Sequence, residues 1–330
     1  MTRVRIGLLG AARITPRAVL EPAKDLDDAE VVAVAARDVD RARAFAGEHG
    51  IPTVHETYEA LLADPGIDAV YNPLPNGLHG RWTIAALDGG KHVLCEKPFA
   101  ANAEEAEQVG EAAARSGKVV MEAMHDRYHP LERRMLEIVE SGVLGAIHHI
   151  ETRMLAVLPQ RGDIRYRLDL AGGATMDVGC YSIHQLRSVG GTEPTVTGAR
   201  TKLISPGVDR WMRADLEFPD GCTGRITCGL LAAQVPIADI RVHGDAGVLK
   251  VLFPNRPNMF KRIVVRSRDG HTTRERVAGA STYRYQLEAF CGAVLRSEPV
   301  LTPPADSIAN MRVIDAVYEA AGLERREPSA

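Results

Sequence analysis

Glu96-Lys97-Pro98 closes the apolar run Lys91-His92-Val93-Leu94-Cys95, which reads as a buried strand. A lysine at the carboxyl end of a parallel strand stands where open α/β sheets place their ligands, so its ammonium can meet a reacting oxygen. Pro98 holds Lys97 to extended geometry and stops the strand from running on into a helix, which aims the side chain through the backbone. The plainer reading is a strand-end lysine turned to water. Two further features weigh against it. The first is the turn Gly10-Ala11-Ala12-Arg13-Ile14, which follows the apolar run from Val4 to Leu9. Laid on the pattern G-x-G-x-x-G it gives Gly10, Ala12 and Thr15. This reduced fingerprint keeps the tight-turn glycine, a small residue where a pyrophosphate comes close, and the amides of a helix start as an anion site. The second is the end of the next strand, Val34-Ala35-Ala36-Arg37-Asp38. NAD sites usually carry an acid there for the ribose hydroxyls, but here Ala36 takes that position beside Arg37. A guanidinium can pair with a 2′-phosphate and lie on adenine, so the expectation is NADP rather than NAD. The alternative for Arg37 is a solvated residue at a helix entry.

The elements that must carry these residues alternate. Strands are expected at 4–9, 31–36, 53–54, 69–71, 91–95 and 119–123. Helices are expected from the Gly10 turn to about Leu26, then at 39–49 with Asp38 or Asp40 at its start, 58–63, 81–88 and 103–116. This alternation argues for βαβ units and a doubly wound, mostly parallel sheet. From about Ile147 the pattern changes to strands of alternating polarity at 194–203, 213–218, 222–230, 237–243 and 262–267, an α+β domain with a largely antiparallel sheet. Helices at 283–296 and 305–321 follow, and residues from Glu324 onward read as a frayed tail. The fold class is therefore α/β, with a dinucleotide-binding domain at 1–124 and a substrate and oligomerisation domain at 125–330. The terminal helices are free to pack back on the first domain.

The 330 residues suffice for two real cores, and a net charge of −3 with both signs scattered gives no basic footprint for nucleic acid. Small-molecule partners are expected. Five cysteines without a C-x-x-C support neither a disulfide framework nor a zinc knuckle and suit a reducing cytoplasm. No run approaches the roughly 18 apolar residues of a membrane span, so no membrane partner is expected. His125 and His129 have an i, i+4 spacing, but Asp126 follows His125 and no third ligand is spaced nearby, so packing is preferred to a metal site.

Taken in order, the Gly7 to Ile14 turn, Asn72-Pro73-Leu74-Pro75-Asn76-Gly77-Leu78-His79, Cys95-Glu96-Lys97-Pro98 and Gly172-Gly173-Ala174-Thr175-Met176-Asp177-Val178-Gly179-Cys180-Tyr181 resemble the glucose-fructose oxidoreductase, inositol dehydrogenase and MocA family. The chain is most similar to the branch with dihydrodiol dehydrogenases and NADP-linked xylose dehydrogenases. There a tyrosine stands four residues after the aspartate, as Tyr181 does. The resemblance implies an N-terminal Rossmann domain and a C-terminal domain with a large open sheet that packs in a homodimer or dimer of dimers. It further implies a nicotinamide near Lys97, with Pro73, Leu74, Asn76, His79 and Glu96 among the residues lining the cofactor. Ala174, where three consecutive glycines are common, is a departure.

Oxidising a secondary alcohol needs a base for the hydroxyl proton, a cation for the developing alkoxide and a nearby hydride acceptor. The roles expected are acid/base for Tyr181, electrophile for Lys97, and orienting carboxylate for Asp177 through Lys97 or a substrate hydroxyl. Arg165, like Arg127, can reach the cofactor amide or a sugar hydroxyl. Tyr128, Arg153, Tyr166 and His184 are candidates for the substrate pocket, although Tyr181 and His184 share a helix face and can also simply pack. The function expected is an NADP(H)-dependent oxidoreductase of a sugar, polyol or cyclic diol. An NAD-preferring sugar or inositol dehydrogenase and a non-catalytic dinucleotide-binding regulator are the alternatives.

Overall fold

The structure, a computed structural model, describes residues 2–158, 162–230, 236–255 and 262–330. The apolar runs of the first part become strands β1 (Val4–Leu9), β2 (Ala29–Ala35), β3 (Thr53–His55), β4 (Ala69–Asn72), β5 (His92–Cys95) and β6 (Val120–Glu122). All pair in parallel, in the order β3-β2-β1-β4-β5-β6. Parallel strands are covered on both faces, which is why β4 is buried along its whole length and β1 and β5 nearly so. The order reverses between β1 and β4. Gly10 after β1, the Pro73–Asn76 loop after β4 and Lys97 after β5 therefore leave the sheet at its carboxyl edge, where doubly wound sheets bind ligands.

Helices α1 (Val39–His49), α2 (Tyr58–Ala63), α3 (His79–Asp88) and α4 (Ala103–Ser116) connect these strands. Asp38 caps α1, its carboxylate accepting from the amides of Asp40 and Arg41 at 3.0 and 3.1 Å. After the Gly10 turn a π-helical segment, Pro16–Leu20, runs into Glu21–Lys24; the helix expected to Leu26 ends earlier, where Asp25 leaves helical geometry.

The remaining strands are β7 (Ile147–Leu155), β8 (Thr195–Ser205), β9 (Val208–Glu217), β10 (Thr223–Gly229), β11 (Ile237–Gly244), β12 (Gly247–Leu252), β13 (Arg262–Ser267) and β14 (Thr272–Arg276). They form a second sheet ordered β14-β13-β12-β11-β7-β10-β9-β8, antiparallel throughout except for the β7–β10 pair. Helices α5 (Pro130–Glu140), α6 (Cys180–Gly190), α7 (Thr282–Arg296) and α8 (Pro304–Ala320) complete the described elements. Sequence patterning misses α5, β12 and β14. The start of α5 is hidden because its cap is an imidazole: His129 Nδ1 accepts from the Leu131 amide at 3.0 Å, with Pro130 in the first turn.

The chain divides into two compact units. The first comprises Met1–His125, Tyr283–Ile308 and Ala330, and the second Asp126–Thr282 and Ala309–Ser329. The tail expected to fray is anchored instead. Arg326 is only 2% exposed and pairs with the fully buried Asp209 at 3.0 Å, because a carboxylate taken out of water needs a countercharge. No helix among the described residues is long and apolar enough to cross a membrane.

Candidate functional site

In the first unit, Lys97 stands two residues beyond the end of β5 and sits in a charged, aromatic cluster. Its neighbour Glu96, 9% exposed, accepts a 2.7 Å hydrogen bond from the hydroxyl of Tyr71, which is wholly buried on β4. Burial first, and the Glu96 charge second, push the Tyr71 phenol well above its ordinary range, so it remains a donor. Tyr283, at the start of α7, packs its ring 4.2 Å from that of His125. Arg17 stands 5.0 Å over the Tyr283 ring and donates to its hydroxyl at 3.0 Å. Burial raises the Tyr283 pKa and Glu96 adds to this, while Arg17 and Lys97 oppose it. Tyr283 therefore senses both charges of the Glu96-Lys97 pair. Sequence patterning sees Tyr283 only as a helix start, because its partners lie far back along the chain.

His79 proves to be a brace. It is 1% exposed, with Nδ1 at 2.7 Å from the Pro98 carbonyl and Nε2 at 2.6 Å from the Leu74 carbonyl. Burial drives its pKa down to about 4; the two carbonyls pull upward and the Lys97 charge pulls further down. The neutral ring carries one N–H, so it donates to one of these carbonyls and packs against the other, buried between the loop after β4 and the residue after Lys97.

The dinucleotide turn has the geometry its glycine predicts. Gly10 adopts φ +101°, and a Cβ there would meet Leu74 Cδ2 at 3.2 Å. Its amide donates to the Ala35 carbonyl at 2.7 Å, joining the turn to the end of β2. Ala11 is buried, Ala12 and Ile14 are half-buried and Arg13 is exposed. At the end of β2, Ala36 is 6% exposed and Asp38 is committed to capping α1. Arg37 and Arg41 are both exposed, and Arg41 donates to the Ala11 carbonyl at 2.6 Å. Both arginines act on Tyr58: burial raises its pKa, and the Arg37 backbone and the two guanidinium charges oppose that rise. Two cations beside a glycine cradle, with Ala36 at the usual acid position and Asp38 engaged in capping, fit a dinucleotide bearing a 2′-phosphate. Arg41 is the member of this pair that the sequence reading overlooks.

In the second unit, Tyr181 and His184 lie one turn apart on α6, 5% and 2% exposed. A π turn, Thr175–Gly179, precedes α6 and carries Asp177. The Asp177 carboxylate accepts from Arg165 Nε at 3.0 Å, and Arg165 Nη1 reaches Asp163 at 3.0 Å. Arg165 thus bridges two carboxylates and orients Asp177 from within this unit. Tyr166 donates its hydroxyl to the Leu158 carbonyl at 2.7 Å, so this side chain is engaged with its own backbone. Tyr128 is half-buried in the turn His125–Tyr128. On α5, Glu132 is raised to about 7, chiefly by burial and then by Asp126, with Arg127 and His184 opposing. Asp126 in turn accepts from Gln185 of α6 at 2.7 Å.

Arg153 belongs elsewhere. Thr152 donates to the Ser182 carbonyl of α6 at 2.8 Å, so the helix covers the face of β7 that Thr152 occupies. Successive strand residues face opposite ways, which turns Arg153 to the other side. There it grips Asp239, its cross-strand partner, at 2.7 and 2.6 Å. It is not brought to Tyr181 and His184, contrary to the expectation of a substrate contact. His125 stacks on Tyr283 and His129 caps α5, and among the described residues no group of three or more His, Cys, Asp or Glu side chains is placed to hold a metal.

Comparison with known proteins agrees with this layout. Residues 4–124 match the oxidoreductase family with an NAD-binding Rossmann fold, GFO/IDH/MocA, and residues 133–250 match the GFO/IDH/MocA C-terminal domain. The chain is 39% identical over 316 residues to D-xylose 1-dehydrogenase (NADP(+)) 2 of Haloferax volcanii, covering 96% of each. It is 33% identical over 230 residues to trans-1,2-dihydrobenzene-1,2-diol dehydrogenase of Sus scrofa, covering 68% of this chain and 67% of that one. Among solved structures, a 3-ketoreductase from Actinomadura kijaniata in complex with NADP and TDP-benzene superposes with a TM-score of 0.90 at 30% identity, covering 96% of this chain and 98% of that one. Structures of the same ketoreductase include variants in which a tyrosine is replaced by phenylalanine and a lysine by alanine.

Proposed function

The chain belongs to the GFO/IDH/MocA oxidoreductase family, and from that premise we propose that it is an NADP(H)-dependent dehydrogenase of a sugar, polyol or cyclic diol, with a free aldopyranose such as D-xylose as its first candidate substrate. The observation that carries this reading is the carboxyl edge of the first sheet, where Lys97 occurs together with Ala36 at the usual acid position of β2 and Arg37 and Arg41 just beyond it. Arg37 and Arg41 would hold the 2′-phosphate, with the Gly10–Ile14 turn receiving the pyrophosphate. When bound, NADP accepts or supplies the hydride.

The protein's own residues handle the rest. Lys97 holds the substrate oxygen and stabilises its negative charge as the carbon is oxidised. Tyr181 takes the hydroxyl proton in oxidation and returns it in reduction. Asp177, steadied by Arg165, orients a substrate hydroxyl. The lysine and tyrosine replaced in the ketoreductase variants have the same separation along their chain as Lys97 and Tyr181, which supports assigning a role to each. The reading includes a cytoplasmic dimer or dimer of dimers.

A second reading, reduction of a nucleotide-linked keto sugar, draws on the ketoreductase likeness. An absorbance assay separates the two: NADP or NAD with D-xylose, D-glucose, myo-inositol and a trans-dihydrodiol, and NADPH with a dTDP-linked 3-keto sugar. The expected result is oxidation of an aldose with kcat/KM at least about tenfold higher for NADP than for NAD. Turnover of the keto sugar alone selects the second reading. Dinucleotide binding without turnover of any substrate overturns both in favour of a regulator.

A further inference from the structure

Beyond α8 the chain returns to the turn that leads into Asp177 and Tyr181. Arg326 donates from Nε to the Gly172 carbonyl at 2.8 Å and from Nη2 to Asp209 Oδ1 at 3.0 Å, with its guanidinium carbon 4.0 Å from the Tyr318 ring centroid. Asp209 Oδ1 also accepts from the Tyr318 hydroxyl at 3.0 Å. Its other oxygen accepts from both the amide and the hydroxyl of Thr175, each at 2.7 Å. Gly173, at φ +138°, passes so close that a Cβ would fall 2.1 Å from Asp209 Oδ1. The Gly173 carbonyl then accepts from the amide of Asp177 at 3.0 Å. Arg326 and Asp209 therefore hold the Gly172–Thr175 turn on both sides, and the turn leads directly into the residues assigned to chemistry. A buried ion pair is seldom the most stabilising way to fill such a space, whereas its directed hydrogen bonds specify one geometry.

We propose that Arg326 is a positioning residue: through Asp209 and the Gly172 carbonyl it sets the register in which the π turn leads into α6 and presents Tyr181. The inference rests on the assignment of Tyr181 as acid/base above. Arg326→Met combined with Asp209→Asn removes both charges together and strands neither. Arg326→Lys keeps a positive charge beside Asp209 but loses the guanidinium fork to the Gly172 carbonyl, so it is the milder change and decides the matter if the double variant does not fold. Each is compared with wild type, Tyr181→Phe and the combination with Tyr181→Phe. The readouts are kcat and KM on D-xylose, or on the best substrate of the panel above, NADPH affinity by fluorescence titration, and folding by circular dichroism.

The expected result is a fall in kcat of about 10- to 100-fold, as for a small misplacement of a reacting group, with NADPH affinity within about twofold of wild type. Added to Tyr181→Phe, the Arg326 change should lower kcat no further. A merely structural role would leave kcat per folded molecule unchanged and the two effects independent. Wild-type kcat in a folded Arg326 variant, or losses that multiply with Tyr181→Phe, overturns the inference while leaving the catalytic reading intact. Full activity of Tyr181→Phe overturns the acid/base assignment itself and this inference with it.

Discussion

Lys97 is held by strands adjacent to its own, whereas the turn that carries Asp177 into α6 is held by charged side chains, Arg165 nearby and Asp209 and Arg326 from further along the chain. β5 delivers Lys97, Tyr71 on neighbouring β4 anchors Glu96, and His79 lies buried between the two strand-end loops, donating to one of the two carbonyls it faces. The π turn before α6 relies instead on Arg165, Asp209 and Arg326. The difference is one of physical means. A sheet edge positions a residue through the hydrogen-bonded ladder itself, while a helix entry supported by buried charges depends on every countercharge remaining in place. Both arrangements carry titratable groups into the interior, but only the second relies on them in place of a sheet ladder.

The largest effect tests whether both regions serve one reaction. Lys97→Met and Tyr181→Phe should each lower turnover about 1,000-fold at saturating NADPH, measured by steady-state kinetics. A loss confined to one of them would place the chemistry in a single unit. Next is a stability test directed at the second unit. Glu132 titrates near 7 in the folded protein, above its ordinary 4.5, so the contribution of its protonated form is complete below about pH 4.5 and is lost as pH rises through 7. Glu132→Gln escapes that loss and should be more stable than wild type at pH 8 by up to about 3 kcal/mol, with little gain at pH 4.5, by denaturant titration. An equal gain at both pH values would show that burial of charge is not what distinguishes this unit.

Arg37→Ala should weaken NADP binding about 10- to 100-fold and leave NAD binding unchanged, as measured by fluorescence titration, because only NADP carries the 2′-phosphate. Equal weakening of both cofactors would remove the basis for reading the β2 end as a phosphate site. The smallest effect is expected for Arg153→Ala, with kcat/KM within about twofold of wild type since the side chain faces away from α6. A large loss would return the open face of the second sheet to the functional surface.

Much of the first unit is legible from its sequence. Asp38 before α1, Gly10 after β1 and Lys97 before a proline each act within a few residues of themselves, so local preference is enough to locate them. Arg17 with Tyr283 and Arg41 with the Ala11 carbonyl escape notice because each partnership closes across the chain. Arg153 is misplaced for a different reason: period-two alternation separates the two faces of a strand without saying which one a helix will cover. Arg326 reads as tail because a polar carboxyl-terminal stretch has no apolar signal, and its burial follows only from the presence of Asp209.

The sequence by itself determined the alternation of strands and helices, the parallel sheet that follows from it, and the delivery of Lys97 to a strand end, since these depend on hydrophobic period and backbone preference over short spans. Only the tertiary structure decided that Arg165 serves Asp177, that His79 braces two loops, and that Arg326 closes on the Gly172–Thr175 turn. Those outcomes depend on which desolvated carboxylate or carbonyl lies within hydrogen-bond distance of which donor, and that distance exists only after the chain has folded.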